Sequence, residues 1–259
     1  MVRCMMRWDE DTQCIKTSSR GGQDYDASTI AITTNPNLID LFQENPSIIL
    51  DGELYIHGRP LQYISGVARL KKEDQRIYAL EYWIYDCLDT QDLARPFELR
   101  LADLESFDET YFEGDSYNKD GNVKFVPHRK VAGYLFSKKW HDTYVEEGFE
   151  GIILRDPDKE YGVNKRDNRM IKMKEYQDDE FKIIGWEPGL RPVEDMVFIC
   201  LCAGKEFKAK PMGDRSVKQE YIDNLDQIIG KMATVKFFTY TEDGIPSQPV
   251  LKSIREYGE

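Results

Sequence analysis

The sequence comprises 259 residues, 41% of them hydrophobic and 32% charged, with a formal net charge of −12. This apolar fraction excludes an intrinsically disordered chain, which cannot bury enough apolar surface to offset the entropy of ordering. No apolar run approaches the roughly 20 residues that span a bilayer, and the acidic charge argues against a nucleic-acid partner, because such a partner usually requires a basic surface.

The length suits two domains, at roughly 100–200 residues for each. No apolar stretch follows the first positive charges, which argues against a secretory signal peptide. Five cysteines without a CxxC pair are typical of reduced intracellular thiols. We therefore expect a cytoplasmic protein.

Short apolar runs rich in β-branched and aromatic residues predict strands in the first two thirds of the chain. These runs are 48–56, 77–86, 149–155 and 170–174. Apolar residues at helical spacing predict helices over 96–107 and around 136–147. We expect a first domain of strands and helices over residues 1–175.

The character of the sequence changes after Lys174. The polar residues 177–180 predict a hinge, and strand-like runs follow at 181–186, 196–202, 207–210 and 233–240. One helix lies among them, with Ser216 as its predicted cap and Gln219 completing a capping box. Short strands and one helix predict a small barrel of the oligonucleotide-binding (OB) type over residues 176–259.

Two carboxylates stand two positions apart in the predicted strand 48–56, so Asp51 and Glu53 share one face of it. Acids in an apolar strand are costly unless a metal ion, an arginine or a ribose pairs with them. A solvated strand edge is the alternative. Glu150 likewise precedes an apolar run that ends in Arg155, although a plain strand with polar ends has the same pattern.

Three other positions carry candidate chemistry. Lys172 and Lys174 fall on one face of a strand about 7 Å apart, which suits a polyphosphate but also an edge strand blunted by lysines. Arg20 lies in a glycine-containing turn that suits a phosphate or ribose, or a plain surface loop. Tyr85 ends an aromatic-rich strand and either stacks on a purine or packs in the core.

Taken together, these groups suit one kind of reaction. Carboxylates hold Mg²⁺, lysines neutralise phosphates, and an aromatic ring stacks on a base. This inventory indicates nucleotidyl or phosphoryl transfer, in which catalysis is mostly positioning and charge neutralisation.

In order and spacing, the segments resemble the motifs of ATP-dependent DNA ligases of the covalent nucleotidyltransferase superfamily, in particular the small bacteriophage and bacterial enzymes. The matching segments are Arg20-Gly21-Gly22, Asp51-Gly52-Glu53, Tyr85-Asp86, Glu150-Gly151-Ile152-Ile153-Leu154-Arg155, Tyr161 with Lys165-Arg166, Lys172-Met173-Lys174, and the C-terminal Arg255. The resemblance implies an α+β fold, with a nucleotidyltransferase (ATP-grasp-like) core of antiparallel sheets and helices followed by a C-terminal OB-fold β-barrel.

The resemblance also implies a role for each matching residue. The implied catalytic and nucleotide-binding residues are Arg3, Arg20, Glu53, Tyr85, Glu150, Lys172, Lys174 and Arg255. Glu53 and Glu150 would hold the metal ion, and Tyr85 would stack on adenine. Lys172 and Lys174 would neutralise the α-phosphate and, with Glu53, form the catalytic set. The three arginines would bind the ribose, the incoming 5′-phosphate and the pyrophosphate.

The first motif of the family, Lys-x-Asp-Gly-x-Arg, carries the lysine that attacks the α-phosphate of ATP. Only its end, Val2-Arg3, has a counterpart here, so we expect the nucleophile and its strand to lie upstream of residue 1. A truncated reading frame is one explanation. A degenerate relative that binds nucleotide or nicked DNA without self-adenylation is the other. The chain as printed should form no covalent adduct with AMP.

The implied function is ATP-dependent sealing of nicks in duplex DNA through enzyme–AMP and DNA–adenylate intermediates, with Mg²⁺ as cofactor. An inactive nick- or nucleotide-binding module and an RNA ligase are the alternatives. The expected partners are ATP and nicked duplex DNA, and the expected state is a monomer in a bacterial or phage-infected cell. Because neither 1–175 nor 176–259 has a net positive charge, the DNA-binding surface must be local. Its candidates are Lys165-Arg166, Arg169, Lys172, Lys174, Lys205, Lys208 and Lys210.

Overall fold

The computed structural model describes residues 2–117, 119–163 and 170–255. The chain forms two compact units, one comprising residues 1–140 and 153–172 and the other comprising residues 141–152 and 173–259. The α+β class is confirmed. The domain boundary at residue 175 stays a prediction.

A five-stranded sheet forms the core of the first unit, in the order β2-β1-β3-β4-β5. Its strands are β1 (Val2–Asp9), β2 (Cys14–Ser18), β3 (Ile48–Tyr55), β4 (Glu81–Asp89) and β5 (Val123–Phe125). Neighbouring strands run antiparallel, except that β4 and β5 are parallel. β1 lies inside the sheet, paired with β2 on one side and β3 on the other.

Helices connect these strands. They are α1 (Ile30–Thr33), α2 (Pro36–Glu44), α3 (Leu61–Ala68), a 3-10 helix (Gln75–Ala79), α4 (Phe97–Phe112) and α5 (Tyr134–Glu146), of which α5 ends in the second unit. The prediction of a strand from residue 77 is wrong at its start, because the Asp74 carboxylate caps the 3-10 helix by accepting from the Arg76 N–H. β4 begins only at Glu81.

A two-stranded sheet pairs β6 (Gly151–Arg155) with β7 (Met170–Lys174). Both strands were predicted from their apolar runs. The division between the two units falls within each of these strands.

A closed five-stranded barrel forms the second unit, in the order β10-β12-β11-β8-β9. Its strands are β8 (Gln177–Glu187), β9 (Val197–Cys202), β10 (Lys205–Pro211), β11 (Met232–Phe237) and β12 (Val250–Ile254), with α6 (Arg215–Asp223) and α7 (Leu225–Ile228) between β10 and β11. Three consecutive strands, a helical connection and two more strands close into a barrel, which is the OB arrangement. The predicted OB-fold barrel is confirmed.

Two local predictions in this unit are wrong. Residues 177–180 are the start of β8 rather than a hinge, because their main chain pairs with β11 while their side chains face solvent. Asp214, and not Ser216, caps α6: its carboxylate accepts hydrogen bonds from the backbone N–H groups of Ser216 and Val217.

The barrel core is aromatic. Phe181 packs edge-to-face against Phe207 and Phe237, with ring centroids 4.9 and 6.0 Å away, and all three side chains are buried. Such pairs stabilise a core beyond the area they bury. Among the described residues, no helix is both long enough and apolar enough to cross a membrane.

Candidate functional site

A buried carboxylate on β3 organises the site of the first unit. The Asp51 side chain is 3% exposed and lies on the face of the sheet that also carries Arg3. Arg3 donates from Nε to Oδ1 (2.9 Å) and from Nη2 to Oδ2 (2.6 Å), a two-point contact. The hydroxyls of Tyr161 and Tyr85 also donate to Asp51, over 2.7 and 3.1 Å. Four donors on one carboxylate offset the cost of burying its charge.

The same carboxylate sets the protonation of its neighbours. Its hydrogen bond raises the pKa of Arg3 above the ordinary value. Burial, and then the negative charge of Asp51, raise the pKa of the Tyr85 and Tyr161 hydroxyls well above their usual range. Both hydroxyls therefore stay protonated and remain donors. The cluster of Arg3, Asp51, Tyr85 and Tyr161 is called the Asp51 cluster below.

A β-bulge explains how Tyr85 reaches Asp51. The register between β3 and β4 passes from Asp51 opposite Asp86 to Gly52 opposite Ile84, which leaves Tyr85 as the extra residue. At a bulge, two consecutive side chains can be aimed at the same face of a sheet. Tyr85 and Asp86 consequently both reach the side of the sheet on which Asp51 lies.

Gly52 is required by packing at this point. A Cβ on Gly52 would lie 2.6 Å from the Trp83 carbonyl oxygen and 2.6 Å from the Tyr82 ring. Tyr82 is fully buried, and its hydroxyl donates to the Leu50 carbonyl over 2.9 Å. The glycine between the two acids therefore lets the Tyr82 ring pack flat against β3.

Glu53 occupies the next position on the face of Asp51. It lies opposite Arg3 on β1 and opposite Trp83 on β4, and it is half-buried. The structure thus brings together three of the residues singled out in the sequence, Arg3, Glu53 and Tyr85, around a fourth, Asp51. Their roles toward a nucleotide remain predictions.

A second buried carboxylate, Asp86, is held by two arginines that sequence reasoning did not assign. Arg100 on α4 donates to it from Nε to Oδ1 over 2.8 Å and from Nη2 to Oδ2 over 3.1 Å, and Arg155 on β6 also donates to Oδ2. Arg100 and Asp86 are almost fully buried. The Arg155 guanidinium also lies 3.8 Å from the centroid of the Phe97 ring, which adds a cation–π contact.

Tyr161 links the two carboxylates. Its hydroxyl bonds to Asp51 and accepts from Arg3 Nη2 over 2.9 Å, while its ring lies 5.5 Å from the Arg100 guanidinium. The sequence offered one signal for this residue, its place before the two lysines. The other predicted residues of that run, Lys165 and Arg166, lie outside the described residues, as does Arg169.

In the second unit, Lys174 donates from Nζ to Glu150 Oε2 over 2.6 Å. The residue after Glu150 must be a glycine. Gly151 has a φ of +135°, and a Cβ added there would lie 2.0 Å from the Met173 carbonyl oxygen. Lys174 also lies 5.3 Å from the centroid of the Phe238 ring. Two residues assigned to phosphate and metal binding are therefore joined to each other in the second unit.

The remaining predicted residues lie apart from these contacts within their own units. Lys172 is exposed on β7. Arg20 is exposed at the tip of a turn that is closed by a bond from the Gly22 N–H to the Ser19 carbonyl. Arg255 forms an ion pair with Glu180 (2.7 Å) and donates to Thr234 Oγ1 (3.0 Å).

The available carboxylates suit a metal ion that binds together with the phosphates of a substrate. In the part of the chain that the structure describes, no three His, Cys, Asp or Glu side chains form a ready metal cage. Mg²⁺ usually keeps several waters and takes only one or two carboxylates along with substrate phosphates. Glu53 and Glu150, both partly accessible, are carboxylates of that kind.

Comparison with known proteins gives consistent matches. The model of the "ATP dependent DNA ligase domain" family matches residues 2–174. Curated DNA ligases from isolates of African swine fever virus are 26% identical over 230 residues, which is 81% of this chain and 51% of theirs. The chain thus spans about half the length of the curated relatives it matches.

Solved structures share the fold. A DNA ligase of the Lig E type has a TM-score of 0.70 at 18% identity, over 98% of this chain and 89% of that chain. The ATP-dependent DNA ligase from bacteriophage T7, in complex with ATP, has a TM-score of 0.53 at 18% identity, over 98% of this chain and 89% of that chain. At such identities the likeness concerns the fold alone.

Proposed function

The chain belongs to the family of ATP-dependent DNA ligase domains, and on this basis we propose that it acts in sealing nicks in duplex DNA, with ATP as the source of AMP. The observation that supports the proposal most is the convergence of Arg3, Glu53 and Tyr85 around the buried Asp51. These are the residues that the family's motifs assign to ribose, metal and adenine.

The sealing step is a phosphoryl transfer. The 3′-hydroxyl oxygen at the nick bonds to the phosphorus of the adenylated 5′-phosphate. The bond between that phosphorus and the AMP oxygen breaks, AMP departs, and the hydroxyl proton is released. Such a reaction depends on positioning and on neutralising the charge of the phosphate oxygens. We assign that neutralisation to Lys172 and Lys174, with Arg3 and Arg20 holding the ribose and the 5′-phosphate.

Tyr85 is the residue we assign to stacking on adenine. Its hydroxyl is fixed by the bond to Asp51, so the ring is held in one orientation before the base arrives. A ring that is ordered beforehand loses less entropy on binding. Burial of the Asp51 cluster thus contributes to nucleotide binding without Asp51 itself touching the nucleotide.

Mg²⁺ is the metal ion we propose, with Glu53 and Glu150 as its protein ligands. When bound, it would supply positive charge to the phosphate oxygens. Arg255 is assigned to orienting pyrophosphate. Glu150 and Lys174 bond to each other.

The test is sealing of a nicked duplex that already carries 5′-AMP, because this step does not use the lysine nucleophile of the first motif. We expect Mg²⁺-dependent joining, abolished by EDTA, with slower joining of a nick that has an RNA strand. Glu53→Gln and Lys174→Gln should each reduce the rate by at least about tenfold. The matched controls are the exposed Glu10→Gln and Lys182→Gln.

Absence of joining by the folded wild-type protein would contradict the proposal. Equal losses in the control variants would show that the site residues are wrongly assigned. Preferred joining of the RNA-containing nick would favour an RNA ligase.

A further inference from the structure

One segment of this acidic chain contains only positive charges. Asp and Glu account for 47 of 259 residues, yet none lies between Glu53 and Glu73. The segment carries four cations, Arg59, Arg69, Lys71 and Lys72, and all four side chains are exposed. We call these four residues the α3 surface, because α3 lies between the first and the second.

The cations of the α3 surface lack carboxylate partners in the part of the chain that the structure describes. Arg59 lies over the Tyr63 ring, 5.2 Å from its centroid, and Lys71 donates to the main-chain carbonyl of Asp24 over 3.1 Å. Within the described ranges of the chain, no carboxylate forms an ion pair with any of the four. The nearest acids in sequence are already engaged, since Glu73 accepts from Tyr78 and Asp74 from Arg76.

Several other exposed cations of the protein form ion pairs. On β10, Lys205 pairs with Asp243 (3.4 Å), Lys208 with Glu187 (2.6 Å) and Lys210 with Asp195 (3.0 Å). A second long segment without acids, residues 121–141, has engaged cations as well. There Lys130 bonds to Glu98, and Arg129 lies 4.2 Å from the centroid of the Trp140 ring.

The placement suits an extended partner. α3 has eight residues, so it is about 12 Å long, with Arg59 before its first turn and Arg69 directly after its last. A Cβ added at Gly66 would meet no other atom within 4 Å, so this side of the helix is open. One positive charge therefore precedes the helix and three follow it, and the helix between them is neutral.

The surface also approaches a predicted site residue. Ser28 Oγ donates to the Ala68 carbonyl over 2.8 Å, and Lys71 reaches the Asp24 carbonyl. Both contacts join the end of α3 to the loop that follows β2, whose tip carries Arg20. Arg20 lies four positions before Asp24, a distance along the chain of at most about 14 Å.

A polyanion fits this arrangement. An unpaired cation that meets a phosphate releases a counterion without first breaking an ion pair within the protein. B-DNA presents a phosphate every 3.4 Å along each strand, so α3 is long enough to follow several of them. We propose that the α3 surface binds the phosphodiester backbone of duplex DNA beside the nick, which rests on the proposed function in taking DNA as the partner.

The test compares two triple variants of equal charge. Arg69→Gln/Lys71→Gln/Lys72→Gln removes three cations without a carboxylate partner, and Lys130→Gln/Arg215→Gln/Lys252→Gln removes three that form ion pairs. Binding to an intact DNA duplex is measured between 50 and 200 mM salt, after circular dichroism has shown that both variants are folded. An intact duplex isolates backbone binding, because it contains no nick and requires no catalysis.

We expect the first variant to bind at least about tenfold more weakly at 50 mM salt, with a salt slope smaller by about two to three. The second should bind within about twofold of wild type. Equal losses in both variants, or unchanged binding by the first, would overturn the proposal. So would tighter binding of an RNA duplex of the same length that depends on the same three residues.

These outcomes are separate from those of the sealing assay. If wild type binds DNA through the α3 surface but does not seal the pre-adenylated nick, the surface stands and the proposed function fails. If wild type seals the nick, and the first variant binds DNA and seals as well as wild type does, the proposed function is supported and the proposed role of the α3 surface is wrong.

Discussion

Asp51 and Asp86 lie directly opposite each other on β3 and β4, and each buried carboxylate is held by its own arginines. Like charges in this position destabilise a sheet. Arg3 compensates the first carboxylate, and Arg100 and Arg155 compensate the second. The pairing of β3 with β4 therefore depends on cations that come from β1, α4 and β6.

Removing Arg100 should expose that dependence. Arg100→Met leaves Asp86 buried with less compensation and opposite a second carboxylate, so we expect the free energy of unfolding to fall by about 3–5 kcal/mol. Urea denaturation measures the change. Arg95→Met, which breaks the more exposed pair with Asp103, should cost less than about 1 kcal/mol. Similar losses in the two variants would contradict this account.

The Tyr161→Phe variant distinguishes the contribution of the Tyr161 hydroxyl to stability from that of its ring. The variant loses the bonds to Asp51 and Arg3 but keeps the ring beside Arg100, so we expect a loss of about 1.5–3 kcal/mol in unfolding free energy. Nick sealing should slow as well, because Arg3 loses one of its supports. Tyr134→Phe is the control, since Tyr134 is 69% exposed. A Tyr161→Phe variant as stable as this control would show that the hydroxyl does not hold the cluster.

Gly52→Ala tests the packing beneath the two acids. The new Cβ would lie 2.6 Å from a backbone oxygen, which cannot rotate away, and we expect a loss of about 1–3 kcal/mol. Gly66→Ala is the matched substitution, because Gly66 lies within α3 with open space around it. It should leave stability unchanged or raise it by about 0.5–1 kcal/mol. Thermal unfolding of the two variants side by side distinguishes these effects.

His128 predicts a pH dependence. Burial lowers the pKa of His128 below its ordinary value of 6.5, and the positive charge of Arg155 lowers it further, whereas Asp86 partly opposes this. As the pH falls through about 6.5, the unfolded chain takes up the proton before the folded protein does. The free energy of unfolding should therefore decrease as the pH falls.

Urea denaturation at several pH values from about 7.5 to 5.5 measures that slope. His128→Gln should flatten it, because glutamine does not titrate. An unchanged slope in the variant would assign the pH dependence to other groups.

Much of the fold follows from local patterns. The apolar runs of β3, β6 and β7 predict their strands, and helical spacing predicts α4 and α5. The start of β8 could not be predicted in this way, since residues 177–180 are polar and only their main chain pairs with β11. No strand was predicted for β1, although its buried Cys4, Met6 and Trp8 alternate with Arg3 and Arg7 as in a half-buried strand.

The site is less accessible to sequence reasoning than the fold. Asp51 and Glu53 could be placed on one face, because a strand alternates with a period of two. The bond from Arg100 to Asp86 spans 14 residues and that from Arg155 spans 69, so neither has a local signature. The bulge at Tyr85 has none either, because a run of hydrophobic residues looks the same with or without one extra member.

The bulge has a consequence for how β4 tolerates changes in length. Ile84 and Asp86 keep their partners on β3 on either side of Tyr85, so the strand behaves as two regular ladders with one residue inserted between them. A deletion at Tyr85 would close the ladders without turning any neighbour over. A deletion of Ile84 or Asp86 would instead place Tyr85 opposite Gly52 or Asp51, and the pairs beyond it would again keep their register. The tyrosine of the Asp51 cluster therefore stands at a point where β4 can lose a residue while the rest of the sheet stays in register.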